Sequence, residues 1–171
     1  MGGFINATAG TGNDASESEV RCGRALAGLL PPKHTVVLLP PSGHRAAIGG
    51  SGSTADFTVY TGGSELSVAK PLLEVQENEN YWGTIDAYTP DRYNPAGSVS
   101  MVSDKLNTQA TAVIVDLVNI TNDKQRAEVV TKIIAMVDKS FKGRMVIFHY
   151  QGTNRVYNRV GSFEDTRDSF I

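Results

Sequence analysis

Four carboxylates stand where a carboxylate is costly unless it has a task. Glu19 shares a helical face with Cys22, Gly23, Leu26, Ala27 and Leu30 in "ASESEVRCGRALAGLL", the apolar stripe that must face a sheet. Asp56 lies in the strand-like "STADFTVY", Asp86 in the middle of "GTIDAYTP", and Asp116 near the end of "AVIVDL", although strands disfavour Asp. A buried carboxylate needs a partner or a metal, and hard divalent cations favour clustered carboxylates. Such a cluster can hold one or two ions that activate water and stabilise an in-line displacement at phosphorus. Taken singly, each acid has an ordinary reading as a helix N-terminal charge, a strand-end turn former or an edge residue. Their succession through consecutive core elements points instead to metal-assisted phosphoryl chemistry.

Other chemistries are poorly represented. His34, His44 and His149 are not spaced as a histidine metal clamp. Cys22, the single cysteine, reads as a small packed hydrophobe and leaves no internal disulfide or multi-cysteine zinc site. There is no G-x-S-x-G elbow and no phosphate loop; "IGGSGSTAD" is Gly-rich but lacks a lysine and runs into a strand. His149, at the end of the buried "VIFHY", reads as a rim or core histidine that could line a site, and His149 with Asp116 is a lesser acid–base option. Arg144, Arg155 and Arg159 interleave with Tyr150 and Tyr157, a pattern that suits RNA by charge and stacking and equally a solvated edge strand.

The elements that must position these residues follow from pattern. The chain has 171 residues, 40% hydrophobic and 20% charged, the composition of a single domain with a core. The net charge of −2 argues against a nonspecific DNA coat or an anionic-membrane binder. No apolar run approaches the ~20 residues needed to span a bilayer, and the start "MGGFINATAG" lacks the basic and apolar regions of a signal peptide. Residues 1–14 read as a flexible lead-in and residues 15–171 as one α/β domain. A first helix is capped by Ser16 or Ser18 and stopped by Pro31–Pro32. Strands follow in "HTVVLLPP", "TADFTVYTGG" and "WGTIDAYTP", then a helix in "AGSVSMVSDKLNTQA". The β-branched "TAVIVDLVNI" is a buried strand, "NDKQRAEVVTKIIAMVDKSF" the clearest helix, "GRMVIFHY" a strand and "TNRVYNRV" an edge strand. Strand–helix–strand units favour parallel pairs with helices on the faces, and the early strands suit an antiparallel meander. The expected fold is a mixed central sheet flanked by helices.

In order and spacing, "ESEVRCGRALAGLLPPKHTVVLLPP", "STADFTVY", "WGTIDAYTP" and "VSDKLNTQATAVIVDL" resemble the PD-(D/E)XK nuclease superfamily. More narrowly, they resemble the C-terminal toxin domains of bacterial contact-dependent growth inhibition and related polymorphic toxins. The likeness spans residues 17–118. Glu19 matches the family's helix acid, Asp56 its metal-binding strand aspartate and Asp86 the acid of Asp/Glu–x–Lys. Tyr88 stands where the lysine belongs, and Lys105 and Gln109 match the Lys and Gln of the following helix. The resemblance implies a divalent ion, Mg²⁺ first and Zn²⁺ or Mn²⁺ next, held by Asp56 and Asp86 with Glu19 completing the set. Lys105 would polarise the scissile phosphate, with Gln109 and Tyr88 orienting substrate or water. With the lysine displaced, three outcomes stay open: Lys105 supplies the charge, Tyr88 orients the water, or the site is feeble. Lys70 and Arg144 are weaker substitutes.

The resemblance further implies a toxin secreted or displayed as part of a larger protein, acting in the cytoplasm of a target bacterium. It implies a cognate immunity protein and, for some toxins of the type, a host factor. The substrate is nucleic acid: tRNA is preferred over DNA because a compact RNA needs only a local basic patch, for which Arg144, Arg155 and Arg159 are candidates; Gln109, Arg144, His149 and Arg155 are the substrate-binding candidates. A non-catalytic α/β binding module, with the carboxylates scattered over its surface, is the competing reading. Convergence of Glu19, Asp56 and Asp86 on one cleft separates the two.

Overall fold

The computed structural model describes residues 2–8, 15–39, 55–61, 81–160 and 163. In chain order the elements are β1 (Gly3–Asn6), α1 (Glu17–Gly28), β2 (His34–Leu38), β3 (Phe57–Thr61), β4 (Tyr81–Tyr88), α2 (Pro95–Thr108), β5 (Ala112–Asp116), α3 (Asp123–Ser140), β6 (Val146–Tyr150) and β7 (Thr153–Tyr157). The seven strands form one mixed sheet whose spatial order follows the sequence. β2–β3–β4 is an antiparallel meander, β6–β7 an antiparallel hairpin, and β1–β2, β4–β5 and β5–β6 are parallel. Each parallel pair is joined through a helix, as parallel strands require a crossover. This is the mixed α/β sheet with helices that the pattern predicts. The Gly/Ser-rich stretch containing His44, the segment with Lys70 and most of the polar tail lie outside the described residues.

Period-two alternation divides the core between the two faces of the sheet. Ile85, Ala112, Ile114 and Ile147 face α1, where Cys22, Leu26, Leu29 and Leu30 meet them. Val113, Val115, Val146 and Phe148 face the other way, against Val102 and Leu106 of α2 and Val129, Ile133 and Val137 of α3. Burial pushes the Cys22 thiol well above its ordinary range, so this cysteine is packing rather than a nucleophile.

One expectation is corrected at the N-terminus. Residues 3–6, read as flexible lead-in, form the edge strand β1, paired in parallel with β2 from Gly3↔Thr35 to Asn6↔Leu38; residues 9–14 lie outside the described part. The sequence hides this strand because it is four residues long, with a glycine and an asparagine at its ends, yet Ile5 is buried and Phe4 packs on the α1 core. Since α1 covers the face opposite to α2 and α3, the β1–α1–β2 crossover has the opposite hand to the other two. The three crossovers therefore do not share one hand, although parallel connections of this kind are right-handed almost without exception.

The docking of β1 depends on the absence of a side chain at Gly23. A Cβ there would lie 2.3 Å from Cε1 of Phe4. Gly23→Ala is therefore expected to cost about 1–3 kcal/mol through overpacking and to lower Tm by roughly 2–10 °C. Phe4→Leu in the same chain should restore part of the loss. An unchanged melting curve for Gly23→Ala would show that β1 does not pack against α1.

Candidate active site

Ser16 caps α1 through a reciprocal box. Its hydroxyl accepts from Glu19 N–H at 3.2 Å, and Glu19 Oε1 accepts from Ser16 N–H at 3.2 Å and from its hydroxyl at 3.0 Å. The box satisfies backbone donors at the helix start and sets the orientation of Glu19. Ser18 and Glu19 then line a cavity of about 430 Å³ with Ser16, Asp56, Asp86, Ala87, Thr89, Lys105 and Gln109. The structure thus brings Glu19, Asp56, Asp86, Lys105 and Gln109 to one place from α1, the start of β3, β4 and the end of α2.

Asp86 is 1% exposed. Its Oδ1 accepts from the backbone N–H of Asp56 at 3.2 Å, and its Oδ2 meets Lys105 Nζ at 2.6 Å. Asp56 stands one residue before β3 rather than inside a strand, and its Oδ2 accepts from Ala87 N–H at 2.9 Å. Burial first, then hydrogen bonding to and the charge of the neighbouring Asp86 carboxyl, push Asp56 from its ordinary 3.8 up to about 8. Lys105 reaches Asp86 from the last turn of α2, and Gln109, one turn on, caps that helix through a backbone N–H to Lys105 O bond of 2.9 Å.

The residues fit a hard divalent cation in part. Asp56 and Asp86 are a close acidic pair, in which Asp86 already faces the Lys105 ammonium. Mg²⁺ commonly takes one or two carboxylates, with water and substrate phosphate filling the remaining positions. Among the described residues, however, no three His, Cys, Asp or Glu side chains stand together as a metal-holding group. Glu19 shares the cavity but is engaged in its capping box, so the three-carboxylate set expected from the sequence is not assembled around one point.

Other candidates lie elsewhere. Tyr88 does not enter this cavity: its hydroxyl lies 3.3 Å from that of Ser98, its ring packs with the α2–α3 core, and it lines a different pocket with Pro90 and Met101. Arg144 is committed to the backbone. Its Nε donates to Thr111 O at 2.8 Å, and its Nη2 to Leu106 O and Ala110 O at 2.9 and 2.7 Å, satisfying carbonyls that the end of α2 leaves open. Arg155 sits opposite Phe148 on the α3 face of β7. Tyr150 lies beneath Arg126 at 3.7 Å, and the Tyr157 hydroxyl donates to Asp138 at 2.5 Å. Tyr150, Arg155 and Tyr157 thus share the α3 face of the β6–β7 hairpin, and Arg144 is tied down apart from them at the end of α2. His149 is buried, its Nδ1 2.7 Å from Asn154 Oδ1, and it lines a second cavity beside α1. It is the cross-strand neighbour of Asp116, but no hydrogen bond joins the two.

Asp116 has a different task, which sequence reasoning missed. Fully buried, it accepts from Arg21 Nε and Nη2 at 2.8 and 2.6 Å and from Ser18 at 3.4 Å. Ser18 also hydrogen-bonds Thr89. This latch ties the first turns of α1 to the ends of β4 and β5 and so fixes the edge of the cavity that carries Glu19. The available signal was the placement of Ser18 and Arg21 one turn apart, ahead of an aspartate ending an apolar strand. Among the described residues no helix is long and apolar enough to cross a membrane. In comparisons with known proteins, the chain matches no family model, no curated protein and no solved structure.

Proposed function

We propose that this chain is a divalent-metal-dependent phosphodiesterase that cleaves nucleic acid, with tRNA the preferred substrate, and that it serves as a nuclease toxin domain of the PD-(D/E)XK type. The observation that carries this reading is the convergence of Glu19, Asp56, Asp86, Lys105 and Gln109 on one cavity. Scattered carboxylates, as in a binding module, would have pointed to different faces. The helix–meander–helix–strand succession from α1 to β5 is in keeping with the resemblance. So is the position of Lys105: from α2 it supplies the cation that Tyr88 lacks.

In this reading Asp56 and Asp86 hold the ion, with Glu19 near enough in the cavity to act through water. A bound divalent cation would supply positive charge to phosphoryl oxygens and acidity to a water molecule. Lys105, held on Asp86, is placed to stabilise negative charge developing on the phosphate. Gln109 offers an amide to position substrate. Asp56 must release its proton before its carboxylate can serve as a ligand, so metal affinity rises with pH. As a toxin, the domain would be delivered by a larger secreted or surface protein, act in the target cytoplasm and be neutralised by an immunity protein.

The test is cleavage by purified protein of total tRNA and, separately, plasmid DNA, with Mg²⁺, Mn²⁺, Zn²⁺ or EDTA, and then in bacterial extract to supply any host factor. EDTA-sensitive cleavage of tRNA is the expected result, and the substrate that breaks decides RNA against DNA. No cleavage of either, with every metal and in extract, would leave the binding module as the better reading.

A further inference from the structure

α1 has a cavity on each flank. Opposite the carboxylate cavity, about 990 Å³ of space lies between α1 and the β6–β7 hairpin, a volume suited to a small-molecule ligand. Arg21, Arg24, His149 and Asn154 supply its polar lining, and Leu29 belongs to its apolar wall. Arg21 commits Nε and Nη2 to Asp116, which leaves the remaining Nη1 of its fork. Arg24, one turn on, is exposed and has no ion pair among the described residues. His149 is 6% exposed, and its Nδ1 contact with Asn154 at 2.7 Å fixes the ring, leaving Nε2 for a further partner. Glu17 also lines the cavity and limits its positive charge, so the site suits a single phosphate rather than a polyanion. The two cavities meet at one residue: Asp116 bonds both Ser18, which lines the first, and Arg21, which lines the second.

From this arrangement we infer that the α1–hairpin cavity is a nucleotide subsite. It takes a phosphate on Arg21 and Arg24 and a base against the apolar flank of α1, with His149 and Asn154 facing the base edge. A nucleotide held here sits next to the carboxylate cavity, across the Asp116 latch. The inference deepens the phosphodiesterase reading and rests on it for nucleic acid being the ligand.

The test uses the full chain in EDTA, titrated with nucleoside 5′-monophosphates and with inorganic phosphate, and followed by amide shifts in NMR. Saturable shifts in α1 and at Gly152–Asn154 are expected, with nucleotides binding more tightly than phosphate. Arg24→Glu should weaken nucleotide binding at least about tenfold and raise KM for nucleic acid with little change in kcat. Asp56→Asn, in the other cavity, should retain binding. Lys139→Glu, the same charge change on the exposed end of α3, should alter it by less than about twofold if the effect is local rather than long-range. Absence of saturable shifts here, equal loss in Arg24→Glu and Lys139→Glu, or phosphate binding as tightly as nucleotides would overturn the subsite. Nucleotide binding without cleavage under any metal would sink the phosphodiesterase reading and leave the subsite standing; metal-dependent cleavage without binding here would do the reverse.

Discussion

Asp86→Asn should reduce metal-dependent cleavage by about 10²–10³-fold, the scale on which removal of one preorganised charge-stabilising group acts. Asp86 touches both Asp56 and Lys105, so its loss removes a candidate metal ligand and releases the ammonium group. The change also affects stability. Lys105, with a side chain 14% exposed, would be left without its counter-charge, a loss of about 3 kcal/mol for an ion pair this buried. A fall in Tm of roughly 6–12 °C follows for a chain of this size. Asp86→Asn with Lys105→Met removes both charges and should recover most of the Tm while activity stays lost. Thermal melts and cleavage rates measured on the same preparations separate the two effects. Full activity in folded Asp86→Asn would end the assignment of Asp86.

Asp56→Asn is expected to do the opposite to stability and the same to function. Asn reproduces the protonated carboxyl: its oxygen accepts from Ala87 N–H, and its NH₂ donates to Asp86. The sign follows from linkage. Asp56 titrates near 3.8 when exposed and near 8 in the fold, so between these values the native state holds a proton that the unfolded chain has released. Its contribution to stability is fully present below the lower value and is lost as pH rises toward the upper one. Asn has no such slope. Asp56→Asn should match wild type near pH 4 and exceed it above pH 8, by a few kcal/mol at most. The gain in Tm should grow steadily between those limits, while Mg²⁺ binding by calorimetry falls below detection. A residue whose removal stabilises the fold and abolishes activity marks a site that trades stability for function. Equal pH–stability curves for the two proteins would show that Asp56 is ionised in the fold.

Much of the framework was legible without coordinates because it is local. A capping serine followed by an acidic first turn starts α1, paired prolines end it, and the β-branched run in β5 can only be a buried strand. Glu19, Asp56, Asp86 and Lys105 could be singled out because each residue type conflicts with, or punctuates, the pattern around it. Partnership is a different matter. Lys105 as the source of charge and Tyr88 as the group orienting water were both open, and only the packing of α2 on the sheet puts the ammonium on Asp86 and the phenol against Ser98. Arg144 looked like a substrate-binding cation until the return of the chain after α3 set it against the carbonyls that follow α2. β1 was invisible because a four-residue strand with two apolar residues has almost no pattern of its own and exists through its neighbour β2. Sequence periodicity determines which residues share the face of a helix or strand. Which charges meet depends on sheet register and helix docking, set by contacts between residues far apart in the chain, and those only the tertiary structure decides.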